Sequence, residues 1–447
     1  MSTTFWCELA WLGDPAGGIE RGVAIGVDGD RITNVSAGVE PPADAHRLAG
    51  LTLPGMANAH SHAFHRALRG RTHGETGSFW TWRDRMYTLA DRLDPDSYRA
   101  LATATFAEMV LAGFTCVGEF HYLHHDRGGS RYSEPNEMGQ VLLEAAAAAG
   151  IRITLLDTCY LRAGLTDDAV LNETQQRFSD GDAHAWAERV DGLADTPDAR
   201  IGAAIHSVRS VDSASMTVVG EWANGRDAAL HAHVSEQPAE NEQCCAVHGC
   251  TPIELLHRHG VLGRRFTAVH ATHLTGADID LLQSRHSTCC ICPTTERDLA
   301  DGIGPTAAFR DAGIAMCVGT DSHAVIDPFE EVRGIELDER LASLRRGTHR
   351  PGELLASATE AGYRSLGWHD GGRIAVGALA DLTSVALTSS RLAGTDAEHA
   401  AAAVVFAATA ADVHHVVVGG SVVVAGGVHR TIDVPGALAR SITAAWA

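Results

Sequence analysis

The chain has 447 residues, 45% of them hydrophobic and 20% charged. That length suits one large α/β barrel or two to three smaller domains and excludes small stapled scaffolds. Its 35 basic residues are all arginine, against 56 acidic ones, for a formal net charge of -21; with no lysine there is no Walker A loop, no Schiff-base amine and no lysine to carboxylate as a bridge between two metals, and the acidity argues against a nucleic-acid-binding face.

In chain order, Met1–Asp14 lacks a basic segment followed by an apolar core, so no signal peptide is read and a reducing, cytoplasmic location is expected. The 10 cysteines are then expected as small buried residues; Cys289-x-x-Cys292 has ligand spacing, but no second pair accompanies it. No apolar stretch reaches the ~18 residues of a membrane span, so no membrane partner is expected. Residues 21–36 and 372–387 carry β-branched runs broken by Gly and Asp-Gly, and 413–429 reads as a hairpin. Together they predict a small β-sandwich-like domain built from both termini, 1–53 plus 370–435, beside a catalytic unit over 54–369.

Between the ends lie eight short apolar runs, at 51–60, 115–122, 151–160, 200–209, 229–236, 266–274, 287–296 and 314–321. Helical signals separate them: Asp94-Pro95 opens Tyr98–Leu111, closed by Gly113, and Thr251-Pro252 opens a segment closed by Gly260. Eight strand–helix units predict a (β/α)8 TIM-type barrel. Most runs end in His, Glu, Tyr, Arg or Asp, and the carboxyl ends of the strands build the active site of such a barrel. A doubly wound sheet would gather its chemistry in one crevice instead.

His60 and His62 close the first run, and residues i and i+2 of a strand face the same way, so two imidazoles converge on one point. His233 on the fifth run reaches the same centre, with Glu236 starting the following loop. His231 shares that face a layer deeper and reads as a packed core histidine. The sixth run carries His270 and His273. The eighth ends at Asp321, which at a strand tip either binds a metal and takes a proton from water, or caps the next helix.

These motifs resemble the amidohydrolase superfamily and, within it, the branch of one-metal deaminases, which the lack of lysine fits. The stretches PGMANAHSHAFHRALRG, SFWTWRDRMY, GEFHYLHHD, HSVRSV, HAHVSEQPAE, CPTTERDLADG and GTDSHAVIDPFEEVR, spread over residues 54–333, are similar to the formimidoylglutamate deiminase family. That family hydrolyses N-formimino-L-glutamate to N-formyl-L-glutamate and ammonia in histidine breakdown. The resemblance implies one Zn2+ per subunit, with Fe2+ as the alternative ion, held by His60, His62, His233 and Asp321. It implies catalytic roles for Glu236, His270 and Asp321, substrate contacts from His65, Arg83, Tyr122, His206 and Arg209, and a homodimer. His65 departs from the family, which commonly has glutamine there; both donate hydrogen bonds, but histidine also takes a charge.

The residues suit a dicarboxylate substrate in their own right, because guanidinium groups bind carboxylate bidentately and Arg83 and Arg209 supply two. The plainer alternatives are that Arg83 stacks on Trp80 or Trp82 and that Arg209 makes a structural ion pair. The competing function is another one-metal deaminase acting on a nucleobase-like or amidine substrate, for which stacking side chains would replace the arginine pair. A non-catalytic barrel would lack a ligand or the acid, and none is missing. A thiol nucleophile would need a histidine beside Cys159, and none is legible.

Overall fold

The computed structural model describes residues 2–73, 79–166 and 169–447; Ser78 of the SFWTWR stretch lies outside them. Eight parallel strands follow one another around a barrel: β1 (Met56–Ser61), β2 (Phe114–His121), β3 (Arg152–Cys159), β4 (Ala199–Ser207), β5 (Leu230–Val234), β6 (Phe266–His270), β7 (Thr288–Ile291) and β8 (Met316–Val318). Nearly every residue in them is buried, as expected of parallel strands covered on both faces. The ring closes between β8 and β1 through a single bridge, Ser61 to Asp321, with the Asp321 N–H donating to His60 O (3.0 Å) and the His62 N–H to Asp321 O (3.2 Å). Closure needs Gly319, where a Cβ would lie 2.6 Å from that of His60. The (β/α)8 expectation holds.

A second sheet draws on both ends of the chain, in the order Val428–His429, Ser421–Ala425, Val413–Val418, Leu382–Val385, His46–Pro54, Ser2–Trp11, Ile19–Asp28, Arg31–Ser36. The run at 51–60 is therefore divided: its first residues belong to this sheet, and β1 begins only at Met56. Gly55 is the joint. Its N–H donates to Asp381 O (2.7 Å), and a Cβ there would collide with Thr115 Oγ1 and the Asp381 side chain. The run at 372–387 is strand only over Leu382–Val385, because Gly372 and Gly377 take left-handed turns before it.

The expected helix of the first crossover starts earlier than read, at Pro95, and ends at Ala112; the Asp94 side chain accepts from Ser97 N, and Gly113 closes it in the left-handed conformation. Thr251 caps Pro252–Arg258 in the same way. No helix among the described residues is long and apolar enough to cross a membrane.

One buried ion pair joins the two sheets. Arg152 at the start of β3 is fully buried, with Nε 2.9 Å from Asp381 Oδ2 and one terminal nitrogen 2.6 Å from Asp198 Oδ1. Asp381 also accepts from Tyr363 OH and Gly419 N, each at 2.7 Å. Removing one member of such a pair leaves a charge buried without compensation. Asp381→Ala is therefore expected to destabilise the fold by about 3–5 kcal/mol in urea unfolding; a loss below about 1 kcal/mol, the size of a surface pair, would contradict this account of the joint.

Candidate metal centre and active site

At the carboxyl-terminal mouth of the barrel, His60 from β1, His62 just past it, His233 from β5 and Asp321 just past β8 bring one donor atom each within 4.8 Å of one another. Asp321 Oδ1 lies 3.3 Å from both His60 Nε2 and His62 Nε2, and His60 Nε2 lies 3.1 Å from His233 Nε2. The tautomers of two rings follow from their outer partners. His62 Nδ1 is 2.9 Å from Phe120 O, and His233 Nδ1 is 2.9 Å from His206 O. A carbonyl oxygen only accepts, so each Nδ1 carries the proton and each neutral ring turns a bare Nε2 lone pair inward.

Burial keeps the rings neutral: it lowers His62 to about 3, and it lowers His60 and His233 as well. Burial would raise Asp321, but the hydrogen-bonded His60 ring, with His270 and His62 beyond it, holds this carboxyl below its usual range. Two bare lone pairs, a carboxylate and His60, whose buried Nδ1 has no hydrogen-bond partner among the described residues, converge with at most one proton among them; a cation satisfies all four, and three imidazoles with one carboxylate suit zinc. Asp321 caps no helix. The next one, Pro328–Ser343, is capped by Asp327, while Asp321 sits at φ +42°, the kind of backbone strain that gathers at functional sites.

Glu236 and His270 stand beside the four donors because the chain turns sharply at both strand ends: Ser235 has φ +53°, and His270 and Ala271 have φ +68° and +50°. His270 Nε2 lies 3.9 Å from Glu236 Oε1 and 3.8 Å from Asp321 Oδ2, and its Nδ1 lies 3.4 Å from Glu296 Oε1. Burial alone would depress the His270 pKa, but Glu236, Glu296 and Asp321 together raise it to about 10. Burial raises Glu236, opposed by His270 and Arg209. Two titratable groups pushed away from their ordinary values at one point are the material of acid–base catalysis.

His65, Arg83, Tyr122, His206 and Arg209 line the same cavity as Glu236, His270 and the metal donors, a space of about 160 Å³. Both plainer alternatives for the arginines are also realised. The Arg83 guanidinium lies 4.4 Å from the Trp80 ring and 5.6 Å from Tyr87, while Arg209 lies 3.6 Å from both Glu236 Oε2 and Glu240 Oε2. Neither contact removes the arginine from the cavity wall. His65 Nε2 lies 2.8 Å from Tyr122 OH, and burial holds its pKa well below the ordinary value, so the ring is neutral and its option of a charge goes unused.

Other residues singled out in the sequence fall elsewhere. His231 is buried in a deeper layer with Nε2 3.0 Å from Ser365 O, and His273 has left the strand, with Nε2 2.7 Å from Asp301 O. Cys289 and Cys292 are buried, and burial pushes the Cys159 thiol far above its usual range, which leaves it inert. A second donor group, His121, His124 and Asp157, is already consumed: Asp157 accepts from Arg189 at 2.8 and 2.9 Å and from Trp186 Nε1 at 3.0 Å, and His124 Nε2 donates to Thr158 O at 2.8 Å.

Sequence reasoning missed Glu240, Glu296 and Asp301, the buried acids behind Glu236 and His270. Burial, with Glu236 nearby, raises Asp301 to about 9. All three lie inside the HAHVSEQPAE and CPTTERDLADG stretches; for Glu240 and Glu296 an acid in the first helical turn after an apolar run was the available signal, whereas Asp301 lies past the end of its helix and carried none.

The sequence profile of the Amidohydrolase family matches residues 51–423. The chain belongs to the amidohydrolase family. Among its relatives, it is 36% identical over 364 residues to the formimidoylglutamate deiminase of Pseudomonas aeruginosa, a match that covers 78% of this chain and 80% of that one. Its fold superposes on an amidohydrolase from Brucella melitensis with a TM-score of 0.92 at 32% identity over 100% of both chains. An adenosine deaminase from Xanthomonas campestris, solved with bound zinc, shares the fold at a TM-score of 0.84 and 23% identity, over 99% of this chain and 97% of that one.

Proposed function

We propose that the protein is a zinc-dependent deiminase that hydrolyses N-formimino-L-glutamate to N-formyl-L-glutamate and ammonia. The observation that carries this reading is the pair of guanidinium groups, Arg83 and Arg209, on the wall of the cavity that holds Glu236, His270 and the four metal donors. Two fixed cations answer two substrate carboxylates. They are local charges working against a chain whose net charge of -21 repels a dianion at long range. At about 160 Å³ the cavity is also smaller than the ~300–1,000 Å³ of sites for larger organic ligands, which favours a compact linear substrate over a nucleoside.

Held by His60, His62, His233 and Asp321, a zinc ion supplies Lewis acidity and makes water nucleophilic near neutral pH. The side chains do the rest. The two arginines fix the substrate so that its formimino carbon faces the metal donors. Asp321 Oδ2 takes the proton of the attacking water as the C–O bond forms, and Glu236 delivers a proton to the imino nitrogen as the C=N bond becomes single. His270, between Glu236 and Asp321, stabilises the developing negative charge. Collapse forms the C=O bond and breaks the C–N bond: Asp321 gives its proton to the leaving nitrogen, the hydroxyl proton passes to Glu236, and ammonia is released with both acids restored.

The aromatic lining, with Trp80, Tyr87, Tyr160 and Phe178, favours a second reading, deamination of a nucleobase-like ring. Ammonia release from N-formimino-L-glutamate, guanine and cytosine at equal concentration separates the two. The proposal expects turnover of the linear amidine to exceed both rings by at least 10²-fold; a preference for a ring would replace it with the second reading. We also infer a homodimer, a reading supported by the family resemblance alone and checked by sedimentation.

A further inference from the structure

Strand β2 grips three consecutive residues at the end of β1, Ser61, His62 and Ala63. The Glu119 side chain, wholly buried and outside the cavity, accepts from Ser61 Oγ at 2.6 Å and from Ala63 N at 2.7 Å, on either side of His62. The next residue of β2 supplies the carbonyl, Phe120 O, that takes the His62 Nδ1–H. One side chain and one carbonyl therefore fix the Ser61 hydroxyl before His62, the backbone after it and the ring itself.

From Ser61 the network runs on to the far side of the barrel closure. Ser61 Oγ lies 3.2 Å from His323 Nε2, His323 Nδ1 lies 2.9 Å from Thr320 Oγ1, and Asn58 Nδ2 donates to Thr320 Oγ1 at 2.7 Å. Asn58 Oδ1 in turn accepts from Thr320 N at 2.9 Å. The donors have a consistent direction. Asn58 gives to Thr320, Thr320 to His323, His323 to Ser61 and Ser61 to Glu119, so Glu119 is the terminal acceptor. Every residue of this chain lies within two positions of His60, His62 or Asp321 except Glu119, which alone belongs to another strand. No ladder of backbone bonds joins β8 to β1, so the side-chain chain carries much of that closure.

We propose that Glu119 is a positioning residue that holds His62 and, through Ser61 and His323, Asp321 at ligand spacing. It sets metal affinity without contacting the metal or the substrate. The proposal rests on the reading of His60, His62, His233 and Asp321 as the metal site. Outer partners of metal ligands are worth about 10–100-fold in affinity, and Glu119 serves ligands just past the ends of two strands at once.

The test is zinc affinity by chelator competition, with the visible spectrum of the cobalt-substituted protein as a second readout of ligand geometry. Glu119→Leu, which removes both acceptors, is expected to weaken zinc binding by about 10–100-fold and to alter the cobalt bands. Glu119→Gln, which keeps one acceptor, is expected to recover part of the loss. Should Glu119→Leu fail to fold, Ser61→Ala cuts the link between Glu119 and His323 and is expected to weaken zinc binding in the same direction. Zinc affinity within twofold of the parent, with unchanged cobalt bands, in the folded variants would overturn the positioning role. Equal zinc binding by the parent and His62→Ala would instead show that the metal-site reading itself fails, and the proposal with it.

Discussion

Glu236→Gln is expected to lower kcat/KM for N-formimino-L-glutamate by about 10²–10⁴-fold, the usual worth of a positioned proton donor, while zinc content stays that of the parent. The two halves of the expectation come from different distances. Glu236 Oε1 is 3.9 Å from His270 Nε2 and Oε2 is 3.6 Å from Arg209, and Glu236 is not among the four atoms that converge on the metal. Glutamine keeps the shape and part of the hydrogen bonding but has no proton to give the imino nitrogen. The loss should therefore fall on kcat more than on KM, as for an interaction made mainly in the transition state. Steady-state ammonia release with metal analysis of the same samples checks it. Retained turnover would remove Glu236 from the mechanism, and lost zinc would make it part of the metal site.

Arg209→Met is expected to cost about 2–5 kcal/mol in transition-state binding, roughly 30- to 4,000-fold in kcat/KM. Arg209 lies half-buried between Glu236 and Glu240, so its removal takes away a substrate cation and also leaves two carboxyl groups facing each other without it. Both kcat and KM should suffer. Arg83, which stacks on Trp80 and touches no catalytic acid, should on substitution affect KM chiefly. An N-formimino amino acid with a single carboxylate provides the control. With that substrate, one of the two arginine variants should lose far less relative to the parent, because the carboxylate it served is gone. Equal penalties on both substrates for both variants would mean that neither arginine reads a carboxylate.

The barrel and its metal corner were legible because strand parity is a strict rule. His60 and His62 face inward together, and strands that end in polar residues point to one mouth. The same parity explains what was hidden. Ser61 and Glu119 face outward into the layer between barrel and helices, where a sequence pattern predicts packing and not a hydrogen-bonded frame. Left-handed residues were equally opaque: Ser235, His270 and Asp321 are not glycine, so nothing in their identity marked the turns that aim Glu236, His270 and Asp321 at one point. The split of the run at 51–60 escaped for a related reason. Gly55 reads as a loop residue, and its role depends on Thr115 and Asp381, which are distant in sequence.

Arg83 and Arg209 illustrate a further limit. Stacking and ion pairing were set against substrate binding as alternatives, yet the structure realises these contacts and leaves both side chains on the cavity wall. A guanidinium has five donors in a planar fork, so one edge or face satisfied by the protein does not spend the others.

Ammonia release from N-formimino-L-glutamate before chelation, after it, and after zinc is restored tests most directly whether this corner of the barrel is a metal-dependent deiminase site. Turnover is expected to disappear on removal of one metal per chain, to return with stoichiometric zinc, and to be absent from His233→Ala under all three conditions. Turnover that survives complete metal removal, or zinc-loaded protein that releases no ammonia from this substrate, would contradict this reading.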